Sequence, residues 1–578
     1  MSKHIVIIGA GVGGTATAAR LAREGFRVTV VEKNDFSGGR CSLIHHDGYR
    51  FDQGPSLYLM PKLFEDAFAD LDERVEYHLE LLRCENNYKI HFDDGESIHL
   101  TSDLTRMKAE MERVEGPEGF GRFLDFLRET HVHYQKGTWI ALKKNFESIW
   151  DLIRLEYAPE ILRLHLFDKI YRRASLYFKT KRMRMAFTFQ TMYMGMSPYD
   201  APAVYSLLQY TEFAEGIWYP RGGFNQVVQK LEFIASQKYR ATFRYNAPVA
   251  KINVDGGRVS GVTLENGEVI EADAVVCNAD LVYAYHKLLP PCSWTTKTLA
   301  SKKLTSSSIS FYWSMNKKIS QLDVHNIFLA ESYKESFDEI FKQYGLPSEA
   351  SFYVNVPSRV DPSAAPDGKD SVIVLVPIGH MKSQTGEGED YADLVNRARE
   401  MVLDVIQARL GIKDFASMIE HEIVNDPKTW QAKFNLWRGS ILGLSHNVFQ
   451  VLWFRPSTRD TTNRYCNLFF VGASTHPGTG VPIVLAGSKL TSDQICKHFG
   501  KTPLPRKLEY APQAKDYVEK SHNGPSWLSI FAVIVFLLSL FFAFFPEQST
   551  GHTAASFINS YLPKPFQVEG TSSSFWVA

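Results

Sequence analysis

Gly9-Ala10-Gly11-Val12-Gly13-Gly14 follows a short apolar run, Ile5 to Ile8, and precedes a stretch with helical spacing, Thr15 to Glu24. A second apolar run, Arg27 to Val31, then ends on an acid, Glu32. Each residue type has a task in holding a dinucleotide. Gly9 permits a tight turn, Gly11 lets the backbone approach a pyrophosphate, and Gly14 lets the helix lie close against the sheet. The phosphates would sit beside Ala10 and Gly11 at the helix N-terminus, where unpaired N–H groups favour negative charge. The Glu32 carboxylate, eighteen residues beyond Gly14, would accept hydrogen bonds from ribose hydroxyls. This order predicts a dinucleotide but does not separate FAD from NAD.

The stretch after Glu32 bears on that choice. Ser37-Gly38-Gly39-Arg40 lies a few residues past the acid, and the arrangement resembles the flavoprotein superfamily of amine oxidases and carotenoid desaturases. The resemblance implies that Gly39 lets the backbone pass close to FAD and that Arg40 lies alongside it; a plain surface turn is the other reading of these residues. Phe51-Asp52-Gln53-Gly54-Pro55-Ser56 matches the superfamily stretch that runs past the flavin ring, which assigns Gly54 and Pro55 to the cofactor. In these proteins the position of Val249 touches the adenine through its backbone, although Val249 also reads as an ordinary hairpin residue.

A second glycine-rich loop, Gly472-Ala473-Ser474-Thr475-His476-Pro477-Gly478-Thr479-Gly480-Val481-Pro482, stands between an apolar run and an apparent helix from Pro482 to about His498. Proline in a first helical turn loses little, because its missing N–H has no partner there anyway. That helix N-terminus would favour negative charge developing near N1 and O2 of reduced flavin. With the adenine end at Gly9 to Glu32, the ring end needs another support, which Gly472, Gly478, Gly480 and Pro482 can supply. The two loops are read as holding opposite ends of one FAD.

Asn467 to Pro482 closely resembles the C-terminal signature of bacterial and fungal type phytoene desaturases. Met194-Gly195-Met196-Ser197-Pro198, Trp218-Tyr219-Pro220-Arg221-Gly222-Gly223 and the early fingerprint through Gly54-Pro55 match in the same order, covering residues 4 to about 500. The resemblance implies desaturation of phytoene through phytofluene, zeta-carotene and neurosporene toward lycopene, with 3,4-didehydrolycopene as a further step. It implies hydride transfer from an allylic carbon to flavin N5, with a proton lost from the neighbouring carbon. Candidates for that proton are His476, Glu212 and Glu215, each of which loop packing or surface exposure also explains, so no catalytic residue is assigned. A carotenoid isomerase or a prenyl-binding protein of similar fold remains an alternative. Intact Ser37 to Arg40 and Gly472 to Pro482 weigh against the second, since a chain without flavin has no reason to keep both supports.

The expected fold is α/β. A Rossmann-like FAD-binding domain of amine oxidase/desaturase type, assembled from 1–100, 220–290 and 425–500, carries an inserted α+β substrate domain from 101–219 and 291–424. Ala247 to Asp280 reads as a strand meander with turns at Gly256-Gly257 and Asn266-Gly267. A polyene offers nothing charged to grip, so its region should be apolar and aromatic. Residues 187–218 read that way through Phe187, Phe189, Met192, Tyr193, Tyr205, Phe213 and Trp218, though core packing uses the same residues. Phe167 to Phe189 interleaves seven cations, among them Lys181, Arg182 and Arg184, with apolar residues, which suits either a membrane surface or a solvated helix face.

Composition sets the outer limits. The 578 residues are 44% hydrophobic, with 64 Lys plus Arg against 64 Asp plus Glu, which points to globular cores and away from nucleic acid. The six cysteines contain no CxxC and no HExxH occurs, so no metal site is expected; the chemistry is left to a redox cofactor, with NAD retained only as a second oxidant beside quinone or oxygen. Trp527 to Phe545 is nineteen residues without charge, Pro or Gly, enough to cross a hydrocarbon core of roughly 30 Å. The expectation is a linker at 501–525, a transmembrane helix at 526–546 and a polar tail at 547–578. Lys501, Arg506, Lys507, Lys515 and Lys520 precede that helix and place the body in the cytosol; the membrane expected is that of the endoplasmic reticulum. The expected partners are a lipid-dissolved carotenoid, the membrane and other carotenoid enzymes.

Overall fold

The computed structural model describes residues 2–146, 160, 163–454, 457–460, 462 and 464–508. The chain divides into a unit Met1–Pro512 and a unit Gln513–Ala578. The expected transmembrane helix and polar tail lie outside the described residues. Among the described residues no helix is long and apolar enough to cross a membrane.

Ile5 to Ile8 is apolar on both sides of the chain, which suits a strand covered on both faces. His4–Ile8 is accordingly the middle strand of a five-stranded parallel sheet, ordered Leu468–Phe470, Ala274–Cys277, His4–Ile8, Arg27–Val31, Thr242–Arg244. Ile8 pairs with both Val31 and Cys277, and Cys277 with Phe470. The C-terminal ends of these strands are therefore level, and both glycine loops leave from that edge. Helix Val12–Arg23, buried along nearly its whole length, follows the first loop, and Val481–His498 follows the second. The predicted meander is present as Val249–Asp255, Arg258–Leu264 and Val269–Glu271, with Gly256 and Gly257 both at positive φ in the tight turn.

A seven-stranded mixed sheet stands beside this domain. Its order is Ile419–Asn425, Ser307–Met315, Ser371–Ile378, Phe352–Asn355, His325–Phe328, Tyr88–His91, Ser97–Leu100. The last two strands fall before residue 100, on the side first assigned to the flavin domain, yet they pair here. Alternation sends Phe328, Phe352 and Val354 into a core with helix Tyr391–Leu410. Ile327, Tyr353, Tyr88 and Ile90 face the other way, into a core shared with Phe123, Phe126, Phe187, Phe189 and Phe213.

Two expectations about charge change in the structure. Of the linker expected at 501–525 only 501–508 belong to the described residues, and these are held to the body: Leu504 N donates to Glu24, and Arg506 pairs with Asp66 and Asp70. In the basic stretch, Arg184 donates to the carbonyls of Phe178 and Lys179, Lys181 to that of Glu331, and Arg182 pairs with Asp94. These cations serve tertiary structure, which a helix-face reading of the sequence does not reveal.

Candidate active site

The first loop is fixed from below by Glu32. Its Oε2 accepts from Ala10 N at 2.8 Å, and its Oε1 accepts from the backbone and side-chain N–H of Asn34 at 2.9 and 3.0 Å. Gly9 has φ +96°, and a Cβ at Gly14 would overlap the Gly9 carbonyl oxygen, so both glycines are required sterically. Gly11 caps the following helix without a side-chain bond and no acid stands in the first turn, which leaves that end suited to an anion. Ala247 N donates to the Glu32 carbonyl at 2.8 Å, bringing buried Val249 to the same corner.

The Gly38-Gly39-Arg40 turn docks onto this loop. Gly38 N donates to Ala10 O at 2.9 Å, and Gly38 and Gly39 both have positive φ. Arg40 reaches the carbonyl of Ile441; burial lowers its pKa, and nearby Cys41 and Asp280 act in the opposite sense. A Cβ at Gly54 would stand 2.6 Å from the Arg40 carbonyl oxygen, so Gly54, with Pro55 behind it, permits close passage of two backbones. Asp52, buried beside them, accepts from Tyr219 OH at 2.6 Å and Phe224 N at 2.7 Å. Burial raises its pKa while both hydrogen bonds lower it. This explains Trp218 to Gly223 as a structural partner of Phe51 to Ser56.

The second loop lies above the first, and Asn278 joins them. Asn278 follows the buried strand Ala274–Cys277, and its Nδ2 donates to Val471 O at 2.8 Å. A Cβ at Gly11 or at Gly13 would stand 2.8 Å from its amide, and one at Gly472 would stand 3.2 Å away. Sequence reasoning passed over this residue; the one available signal was an amide directly after a buried strand. Gly472, Gly478 and Gly480 all have positive φ, and the helix starts at Val481, one residue before Pro482, with neither a side-chain cap nor an acid in its first turn. Both loops thus end on open helix N-termini at the same sheet edge.

Three acid-base candidates have defined surroundings. His476 is buried, its Nε2 is 2.6 Å from the Lys144 carbonyl, and its ring meets Phe146 edge-on. A carbonyl only accepts, so that nitrogen carries the proton. Glu212 is fully buried, which corrects the surface reading; its Oε1 accepts from Tyr88 OH at 2.7 Å and its Oε2 from Gln190 at 3.1 Å. Burial pushes its carboxyl up to about 8 against those two hydrogen bonds. Glu215 accepts from Tyr134 OH at 3.1 Å, and burial raises its pKa too.

Leu57, Leu59 and Met60 from beyond Gly54, and Ile483 and Ala486 from the second loop's helix, pack in the same core as Tyr88, Ile327 and Tyr353. The seven-stranded sheet therefore faces both loops. At this seam Ser56 Oγ and His325 Nδ1 each lie 2.7 Å from Tyr353 OH. Burial drops His325 to about 3, so it is neutral. Phe187, Phe189 and Phe213 are closely packed members of this core. Glu129, His133 and His165 also come within 4.8 Å of one another, but Glu129 is held by Arg173 and Tyr177 and is an ion-pair partner.

The donor set fits FAD. Glycines stand where a side chain would block the backbone, a buried carboxylate lies under the first loop, and two helix N-termini open toward one edge. The flavin containing amine oxidoreductase family matches residues 12–496. Phytoene desaturase from Phycomyces blakesleeanus is 68% identical over 574 residues, covering 98% of each chain. Phytoene desaturase from Fusarium fujikuroi is 49% identical over 93% of this chain and 96% of its own. A zeta-carotene-forming phytoene desaturase from Myxococcus xanthus is 44% identical over 85% and 94%. Among solved structures, putrescine oxidase bound to putrescine aligns with a TM-score of 0.58 at 13% identity, over 87% of this chain and all of that one; it shares the fold.

Proposed function

Because the chain belongs to the phytoene desaturases of the flavin containing amine oxidoreductase family, an FAD-dependent oxidoreductase acting on CH–CH groups, we propose that it desaturates phytoene stepwise. The steps run through phytofluene, zeta-carotene and neurosporene to lycopene, with 3,4-didehydrolycopene as a further product. The observation that carries this reading is the 68% identity to the Phycomyces enzyme over 98% of the chain. Bound FAD supplies the two-electron acceptor. The chain's part is to position and to desolvate: Leu57, Met60, Ile483 and Ala486, from the stretch beyond Gly54 and from the second loop's helix, share one apolar core with Ile327 and Tyr353, and such surroundings suit a hydrocarbon and exclude water.

The proposal extends to location. Residues 526–546 cross the membrane of the endoplasmic reticulum once and leave the body in the cytosol, close to its lipid-dissolved substrate and to other carotenoid enzymes. Quinone or oxygen takes the electrons in the end. In support, the alignment with the Phycomyces enzyme covers 98% of the chain, and Phe167, Leu176 and Phe449 are large exposed apolar residues on the body.

One absorption spectrum tests the activity: purified protein incubated with phytoene-loaded liposomes. Structured polyene bands beside a flavin chromophore are expected, and their positions count the steps. A flavin spectrum with no new bands would overturn the reading.

A further inference from the structure

Lys433 lies near the end of helix Pro427–Phe434 and is half-buried. Its Nζ donates to Gln53 Oε1 at 2.6 Å, and among the described residues no carboxylate faces it. Burial alone lowers its pKa. An ammonium partly withdrawn from water, with a neutral amide and the Phe434 ring as its neighbours, gains when an anion completes its surroundings.

Its anchors run from Glu32, at the ribose end, to the Phe51–Ser56 stretch expected beside the flavin ring, and a diphosphate joins those two ends of FAD. Gln53 Nε2 donates to Ser42 Oγ at 2.7 Å, just after the Gly39–Cys41 turn that docks on the first glycine loop. Asn34 Nδ2 donates both to Glu32 Oε1 at 3.0 Å and to the Lys433 carbonyl at 3.3 Å. Lys33 Nζ adds a bond to the Ala432 carbonyl at 2.6 Å, and to Asn435 Oδ1 at 3.1 Å, at the same helix end. Helix Pro427–Phe434 is thus tied to the carboxylate under the first loop and to the stretch ending at Gly54. Lys33 is accounted for by these acceptors and by the helix C-terminus it caps, whereas Lys433 meets the Gln53 amide oxygen and the face of the Phe434 ring, 5.7 Å from the ring centre, and no formal negative charge among the described residues.

We propose that Lys433 is a cofactor-binding residue, the cation that a helix outside both glycine loops brings to the FAD diphosphate. The assignment rests on the FAD dependence of the family, and none of its readouts requires desaturation. Gln53 holds the ammonium in place until the diphosphate arrives, and charge pairing then replaces a neutral contact.

Full-length apoprotein titrated with FAD, ADP and riboflavin, as wild type, Lys433→Met and Lys433→Arg, tests it. Lys433→Met is expected to weaken FAD and ADP about 10-fold or more at low salt, to flatten the salt dependence of both, and to leave riboflavin unchanged. Lys433→Arg should recover much of the loss. The apoprotein melting temperature of Lys433→Met should hold or rise, because an unpaired desolvated charge has gone; a lysine that merely holds the fold would lower it. Wild-type FAD and ADP affinity in Lys433→Met would overturn the proposal. Weakened riboflavin with unchanged ADP would do so as well, by placing the charge at the ring. A Lys433→Met apoprotein that melts early would assign the residue to the fold instead.

Discussion

Asn278 Nδ2 donates to the Val471 carbonyl at 2.8 Å while the same amide lies against Gly11 and Gly13, so one side chain is clamped between two loops that lie far apart in the chain. The spacing of those loops therefore depends on a residue in neither of them.

Asn278→Ala should lower stability by about 1–3 kcal/mol, the usual cost of leaving a buried acceptor unpaired, and lower the flavin-to-protein ratio with it. Asn278→Asp should be no better, since its carboxylate cannot donate to Val471. A thermal melt together with the 450 nm flavin absorbance decides; a full complement of flavin in Asn278→Ala would remove the clamp from the account.

Gly14→Ala places a methyl group on the Gly9 carbonyl. The helix must move off the strand, with an expected loss of ~2 kcal/mol or more. Flavin-free or insoluble protein is the expected outcome, read from expression yield and absorbance.

Glu212 gives a pH test. Its carboxyl is raised from the ordinary 4.5 to about 8 by burial, so between those values the folded state holds a proton that the unfolded state has released, and stability falls as pH rises. The slope amounts to ~1.4 kcal/mol for each unit over which the two states differ by that proton. Glu212→Gln should flatten the decline in melting temperature from pH 5 to 8. A decline as steep as that of wild type would show that Glu212 is ionised in the fold.

Phe167→Asp combined with Leu176→Asp should reduce turnover of phytoene in liposomes several-fold and leave turnover in detergent near wild type, because both side chains are exposed in the body. Equal losses in the two media would mean that the residues serve the fold and not the lipid surface.

Deleting 526–546 should move the protein from the membrane to the soluble fraction while FAD affinity is kept, because the site residues all precede Lys501. Sedimentation after carbonate extraction reads the first effect, and flavin titration the second. A truncated protein that still pellets would point to the body as the anchor.

Local pattern made much of the flavin side legible. Ile5 to Glu32 carries strand, turn, helix and acid within one continuous stretch, and Gly256-Gly257 marks a turn wherever it stands. Asn278 escaped because its meaning comes from the two loops around it. Strands 88–91 and 97–100 escaped because short alternating runs do not name their partners; their place in the second sheet is set by pairing with His325–Phe328. Glu212 looked like a surface acid because a charged letter in an aromatic stretch carries no sign of the Tyr88 hydroxyl that lets it be buried. The basic run at 167–189 read either as a lipid-facing stripe or as a solvated helix face, and acceptors elsewhere in the chain, the Glu331 carbonyl and Asp94 among them, occupy several of its cations.

The parallel sheet also sets a timetable. A ribosome makes His4–Ile8 first and Leu468–Phe470 almost last, with the neighbouring strand Ala274–Cys277 about midway. Four of the five strands are complete by Cys277, and the nascent chain must then keep that sheet waiting for its edge strand through about 190 further residues, which at roughly 5–20 residues per second lasts on the order of ten to forty seconds. A polypeptide released early, before Leu468, would have the first glycine loop and no counterpart for it. The strand order thus leaves the edge of Ala274–Cys277 without its neighbour until the second glycine loop is about to be made.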